Sequence, residues 1–91
     1  MKVEWADSAL TDIERIVAYL KPLNPFAARQ IARKLFAAGD SLATFPHRGR
    51  LGLAGGTREL VIVRPYLLVY EVDDTGGLVR ILRVWHGTQN R

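Results

Sequence analysis

The 91-residue chain has no cysteine, which excludes disulfides and zinc sites built on thiolates. Its only imidazoles are His47 and His86, and no carboxylates stand at a recognisable ligand spacing, so no metal site is expected. No apolar run approaches the roughly 20 residues needed to span a bilayer. Runs such as "YLLVY" and "LVIV" have strand length, and no membrane partner is expected. Acids stand in the opening "MKVEWADSAL" where a signal peptide needs an unbroken apolar stretch, so a cytoplasmic location is expected. Nucleophile elbows, phosphate-binding glycine loops and dinucleotide fingerprints are all missing, and no cofactor is expected. "GRLGLAGG" is glycine-rich, but it precedes a strand pattern and so lacks the helix N-terminus that would hold a phosphate.

What is present is one domain's worth of chain, residues 1–91, with 48% hydrophobic residues, too many for a disordered polymer. Charge is unevenly placed. Residues 1–45 carry six Lys/Arg and five Asp/Glu, whereas residues 46–91 carry seven arginines, no lysine and four acids. Those arginines are Arg48, Arg50, Arg58, Arg64, Arg80, Arg83 and Arg91. A guanidinium offers a planar fork that matches phosphate or carboxylate, so the bias hints at an anionic partner, either nucleic acid or an acidic protein segment.

Alternation in "KVEW" predicts a short first strand. In "ADSALTDIERIVAYLKP", Leu10, Ile13, Val17 and Leu20 recur at helical spacing, with Asp7 or Ser8 as the N-cap and Pro22 as the stop. A second helix starts at Asn24 (cap) and Pro25 (first turn) and sets Ala28, Ile31, Leu35, Ala38, Leu42 and Phe45 on one face. Gly39 is a candidate break in it, since glycine costs about 1 kcal/mol relative to alanine in a helix. "HRGRLGLAGG" reads as a loop, and "TRELVIV", "YLLVYEV" and "LVRILRVWH" as an antiparallel meander. The expected fold class is α+β: β-α-α-β-β-β, with a helical hairpin on one face of a mainly antiparallel four-stranded sheet. The opposite face, left bare, is expected to be a cationic docking platform.

The candidate chemistry lies on the C-terminal strands. RNA cleavage by 2′-OH attack needs a base, an acid and positive charge for the phosphorane, which arginine and histidine can supply. Arg58, Arg83 and His86 are the candidate catalytic set; strand alternation puts Arg83 and His86 on opposite faces. His86 before Gly87 also reads as a plain strand terminator. Arg48, Arg50, Arg64, Tyr70 and Trp85 are the candidate binding residues for a target or partner.

Element order and the segments "NPFAA", "FPHRGR", "GTREL", "RPYLLVYEV" and "VRILRVWHGTQNR" together resemble the RelE/ParE toxin superfamily of bacterial type II toxin-antitoxin modules. The resemblance implies a RelE-like fold and a growth-arresting toxin neutralised by a cognate antitoxin. It also implies that operator DNA is bound only through that antitoxin, whose acidic segment would be a second account of the arginine bias. The target would be DNA gyrase, as for ParE-like members without RNase activity, or ribosome-bound mRNA, as for RelE-like endonucleases. In the second case Arg58, Arg83 and His86 match basic and terminal positions of such metal-independent enzymes, but no lysine follows Lys34. The incomplete set leans toward the gyrase branch. A degenerate toxin that only binds its antitoxin is the third expectation.

Overall fold

The computed structural model describes residues 1–52 and 55–87. Expectations placed on Leu53 and Ala54 of the glycine-rich loop and on Arg91 therefore lie outside the described residues. The described elements run β1 (Lys2–Trp5), α1 (Asp7–Leu20), α2 (Pro25–Ser41), β2 (Arg50–Leu51), β3 (Arg58–Val63), β4 (Tyr66–Asp73) and β5 (Leu78–His86). No described helix is long and apolar enough to cross a membrane.

Local chemistry sets the helix ends. Asn24 caps α2 as expected, its side-chain oxygen accepting the Ala27 N–H at 3.0 Å, with Pro25 in the first turn. The start of α1 differs from expectation. Ala6 is the N-cap residue and offers no side-chain bond, while the Ser8 hydroxyl lies inside the helix and donates to Leu82 O at 2.6 Å. Gly39 does not break α2. A Cβ there would lie 2.2 Å from Trp5 Cζ2 and 2.7 Å from Ile81 Cδ1, so glycine serves close approach of helix to sheet.

The sheet order is β1-β5-β4-β3-β2, five strands where four were expected. β1 runs parallel to β5 and the other neighbours are antiparallel. The extra strand, β2, comes from the segment read as a loop: Arg50 opposes Glu59 and Leu51 opposes Arg58. It is held there because the Tyr70 hydroxyl accepts the Gly49 N–H and donates to Pro46 O, both at 2.9 Å. A Cβ at Gly49 would meet that hydroxyl at 2.7 Å, so only glycine fits.

The helical hairpin covers one face. Ala9, Ile13, Leu35, Ala38 and Leu42 pack there against Leu60, Leu68, Tyr70, Val79, Ile81 and Val84. Burying each large aliphatic side chain of this set contributes about 1.5–3 kcal/mol. The apolar stripe of α1 is rotated from the one expected: Ala9, Asp12 and Ile13 are buried, while Leu10 and Val17 line an open groove beside α2. Phe45 is 63% exposed because α2 has already ended at Ser41.

Leu67 and Val69, alternating with the core residues of β4, lie on the opposite face and are nonetheless buried. Their cross-strand neighbours are Val61 and Trp85 for Leu67, and Glu59 and Arg83 for Val69.

Candidate functional site

The arginines do not form a cationic platform on the sheet face away from the hairpin. Arg50 pairs with the buried carboxylate of Glu59 at 3.1 Å, and Arg80 lies between Glu4 at 3.1 Å and Glu71 at 3.5 Å. Period-two patterning cannot reveal this, because the neutralising acids come from three different strands.

The remaining arginines are dispersed. Arg48 donates to the Ser41 hydroxyl at the end of α2. Arg64 is exposed in the β3–β4 turn. Arg58 opposes Tyr70, on the hairpin side, and donates to Gly49 O at 2.8 Å. Pro46, Gly49, Arg58 and Tyr70 thus form one hydrogen-bonded knot that fastens the Phe45–Arg50 segment to the sheet. Tyr70, read from sequence as a binding residue, is a core residue with 0% exposure and both functions of its hydroxyl engaged.

A β-bulge decides the orientation of the last strand. Val69 opposes Arg83 and Tyr70 opposes Ile81, so Leu82 is the extra residue without a partner on β4. Alternation restarts there. Val84 faces the hairpin core and His86 opposes Tyr66 on the same side, while Arg83 and Trp85 turn to the other face. Arg83 and His86 therefore do stand on opposite faces of β5.

The edge of β5 is finished by a helix. β1 pairs with β5 only as far as Ile81, whose carbonyl accepts the Ala6 N–H at 2.9 Å. Beyond it, Ser8 donates to Leu82 O, and Asp12 Oδ2 accepts the Val84 N–H at 2.9 Å. Residues four apart share a helix face with about 6 Å of rise. Two strand residues advance by about 6.6 Å, so the side chains of α1 keep step with the strand they cap.

Asp12 also fixes Arg83. Its Oδ2 accepts Arg83 Nε at 2.8 Å and its Oδ1 accepts Nη2 at 3.0 Å, a bidentate pair. Burial pushes the Asp12 carboxyl upward, but the Arg83 and Val84 hydrogen bonds and the charges of Arg83 and Arg15 outweigh it and hold it below the usual carboxylate range. Donating to Asp12 raises Arg83 in return, against a smaller opposite effect of burial. The Arg83 guanidinium lies 5.6 Å from the centroid of Trp85, within cation–π range. The buried Trp85 Nε1 has no hydrogen-bond partner among the described residues.

Between α1 and the end of β5 opens a cleft of about 510 Å³. Arg15, Ile16 and Tyr19 line it from the helix, Arg83 and His86 from the strand, and Tyr66 from β4. Sequence reasoning named Arg83, Trp85 and His86 but missed Asp12, Arg15, Tyr19 and Tyr66. A signal for Asp12 exists: it stands three residues after Ala9 and one before Ile13, a carboxylate on an apolar stripe.

Arg58 does not join this cleft. It is level with Tyr70, whereas His86 is level with Tyr66, four residues away along β4 and one strand to the other side. That offset is about 13 Å along the strands and about 10 Å across them.

Residues 3–91 match the family model for the ParE toxin of the parDE type II toxin-antitoxin system. The chain is 44% identical over 88 residues to toxin RelE2 of Caulobacter vibrioides, covering 97% of each chain. It is 35% identical over 89 residues to the putative toxin Y4kP of Sinorhizobium fredii, covering 97% of this chain and 90% of the other. Among solved structures, the chromosomal ParDE system from P. aeruginosa shares its fold, with a TM-score of 0.82 at 23% identity over 94% of this chain and 95% of that one. The RelBE2 toxin-antitoxin complex from Mycobacterium tuberculosis is similar at a TM-score of 0.63 and 28% identity, covering 93% and 95%.

Proposed function

The chain belongs to the ParE toxin family of type II toxin-antitoxin systems, and from that premise we propose that it arrests growth by binding DNA gyrase rather than by cutting mRNA. One observation carries this reading. The three residues that would form a nuclease centre do not converge on one point: Arg58 is tied to Gly49 O away from the cleft, and Arg83 and His86, though both line the cleft, rise from opposite faces of β5. Phosphorane stabilisation needs its donors within about 3 Å of one point. Binding needs no such convergence.

Neutralisation by a cognate antitoxin is part of the proposal, supported by the M. tuberculosis relative, which was solved as a toxin-antitoxin complex. The groove between α1 and α2, about 560 Å³ and lined by Leu10, Val17, Ala32 and Phe36 among others, suits the apolar anchors of such a partner. Because Arg50, Arg80 and Arg83 already have carboxylate partners, antitoxin affinity should change little with salt.

The RelE-like reading, a ribosome-dependent mRNA endonuclease, is favoured by the similarity to toxin RelE2 and by the shared cleft of Arg83 and His86. Induction of the toxin with separate readouts of protein and DNA synthesis distinguishes the two. Early loss of replication, with inhibited supercoiling by purified gyrase, is the expected result. Early loss of translation with cleaved mRNA, abolished by His86→Gln, would replace the gyrase reading with the nuclease one.

A further inference from the structure

The cleft between α1 and β5 has a chemistry that the gyrase reading leaves unused. Its volume, about 510 Å³, lies within the range of small-molecule sites, about 300–1,000 Å³. Its charged residues are Asp12, Arg15 and Arg83, which sum to one net positive charge.

Asp12 makes Arg83 a prepared donor rather than a spent one. A guanidinium has five N–H groups. The Asp12 pair uses Nε and one hydrogen of Nη2, so Nη1 and the other Nη2 hydrogen remain, on a side chain 41% exposed. Held on one side by a buried carboxylate, the free edge loses little entropy when it meets a second acceptor. Arg15 lines the same cleft from α1, and its charge helps to hold the Asp12 carboxylate ionised, so two guanidinium groups serve this cleft.

Part of the lining is aromatic. Tyr66 and His86 meet edge to face, ring centroids 5.8 Å apart and planes at 85°, which leaves an L-shaped wall for a flat group. The Asp12 charge disfavours a dianion, whereas a monoanion balances the site.

We propose that this cleft binds a small ligand carrying one singly charged oxyanion on a planar ring, the oxyanion between Arg15 and Arg83 and the ring against Tyr66 and His86. A cyclic mononucleotide phosphodiester and an aromatic carboxylate share that chemistry. The proposal does not depend on the identity of the toxin's target.

The test is a titration of the full, isotope-labelled chain with 3′,5′-cyclic AMP, with benzoate and, as the uncharged control, with adenosine, followed by NMR. A saturable shift of the Arg83 Nε–H and His86 ring signals by one charged compound, with Kd below about 1 mM, is expected. Adenosine should produce none. Which charged compound saturates identifies the oxyanion. Arg15→Gln, an exposed helix position whose variant can be checked by its unchanged melting temperature, should weaken binding about tenfold. No saturation by either charged compound up to about 10 mM, equal binding of adenosine, or unchanged binding by the Arg15→Gln chain overturns the site.

Discussion

Replacing Asp12 with alanine should be among the most damaging polar substitutions in this protein. The carboxylate is 8% exposed and accepts three hydrogen bonds, two from Arg83 and one from the Val84 N–H. Asp12→Ala strands a buried backbone donor at the β5 edge, which costs about 1–3 kcal/mol. Removing one partner of a fully buried ion pair costs about 3–5 kcal/mol, but the half-exposed Arg83 regains water, so that larger figure does not apply. Adding up to about 1 kcal/mol for the screened ion pair to the middle of the first range gives a loss of about 2–3 kcal/mol. For a domain of this size that lowers the melting temperature by roughly 10–20 °C. Asp12→Asn should lose less, about 1–2 kcal/mol, because its one acceptor oxygen can keep the Val84 N–H while its amide meets the Arg83 donors. Denaturant unfolding of both variants, of Arg83→Ala and of the double variant Asp12→Ala/Arg83→Ala measures the coupling directly. The double variant should cost at least about 1 kcal/mol less than the two single losses together.

The same contact gives a pH dependence whose sign is fixed. The Asp12 carboxyl is held below its ordinary value in the folded chain, so its contribution is complete above the unfolded value of about 3.9 and is lost as pH falls through the lower folded value. The stability gap between the native chain and Asp12→Asn should therefore narrow below about pH 4. An Asp12→Ala loss under about 0.5 kcal/mol, strict additivity in the cycle, or a gap unaffected by acid would refute the role given to this residue.

Gly39→Ala should destabilise by about 1–3 kcal/mol in thermal unfolding even though alanine is the better helix former, because the new methyl would overlap the Trp5 ring. Tyr70→Phe keeps the ring but removes both hydroxyl bonds to the Phe45–Arg50 segment; it should cost about 1–3 kcal/mol and raise amide exchange at Gly49. Asn24→Ala should cost about 1 kcal/mol through the lost cap, and Asn24→Ser should restore most of it in the same unfolding assay.

Local chemistry explains which elements were legible. Pro22, Asn24 and Pro25 mark the hairpin turn because capping and proline sterics act within a few residues. Short apolar runs rich in β-branched and aromatic residues, bounded by turn residues, mark "YLLVYEV" and "LVRILRVWH" as β4 and β5. β2 was hidden, since two residues carry no periodic signal and its place depends on a tyrosine hydroxyl twenty residues further on. Arg58 and Tyr70 were read as working residues, and in the fold they form a structural knot with Pro46 and Gly49. A motif records that residues are needed together, and the reason lies in what they touch.

The sequence by itself determined the α+β class, the hairpin-on-sheet order and the family resemblance, all of which rest on short-range patterns. Tertiary structure alone decided the charge of the sheet face, because Glu4, Glu59 and Glu71 reach their arginines across strands distant in the chain. It alone decided the direction of the last strand's side chains as well. One unpaired residue, Leu82, restarts the alternation, so that Val84 and His86 face the hairpin while Arg83 turns outward and is caught by Asp12 of α1. A bulge is a property of two paired strands, and so no single stretch of sequence announces it.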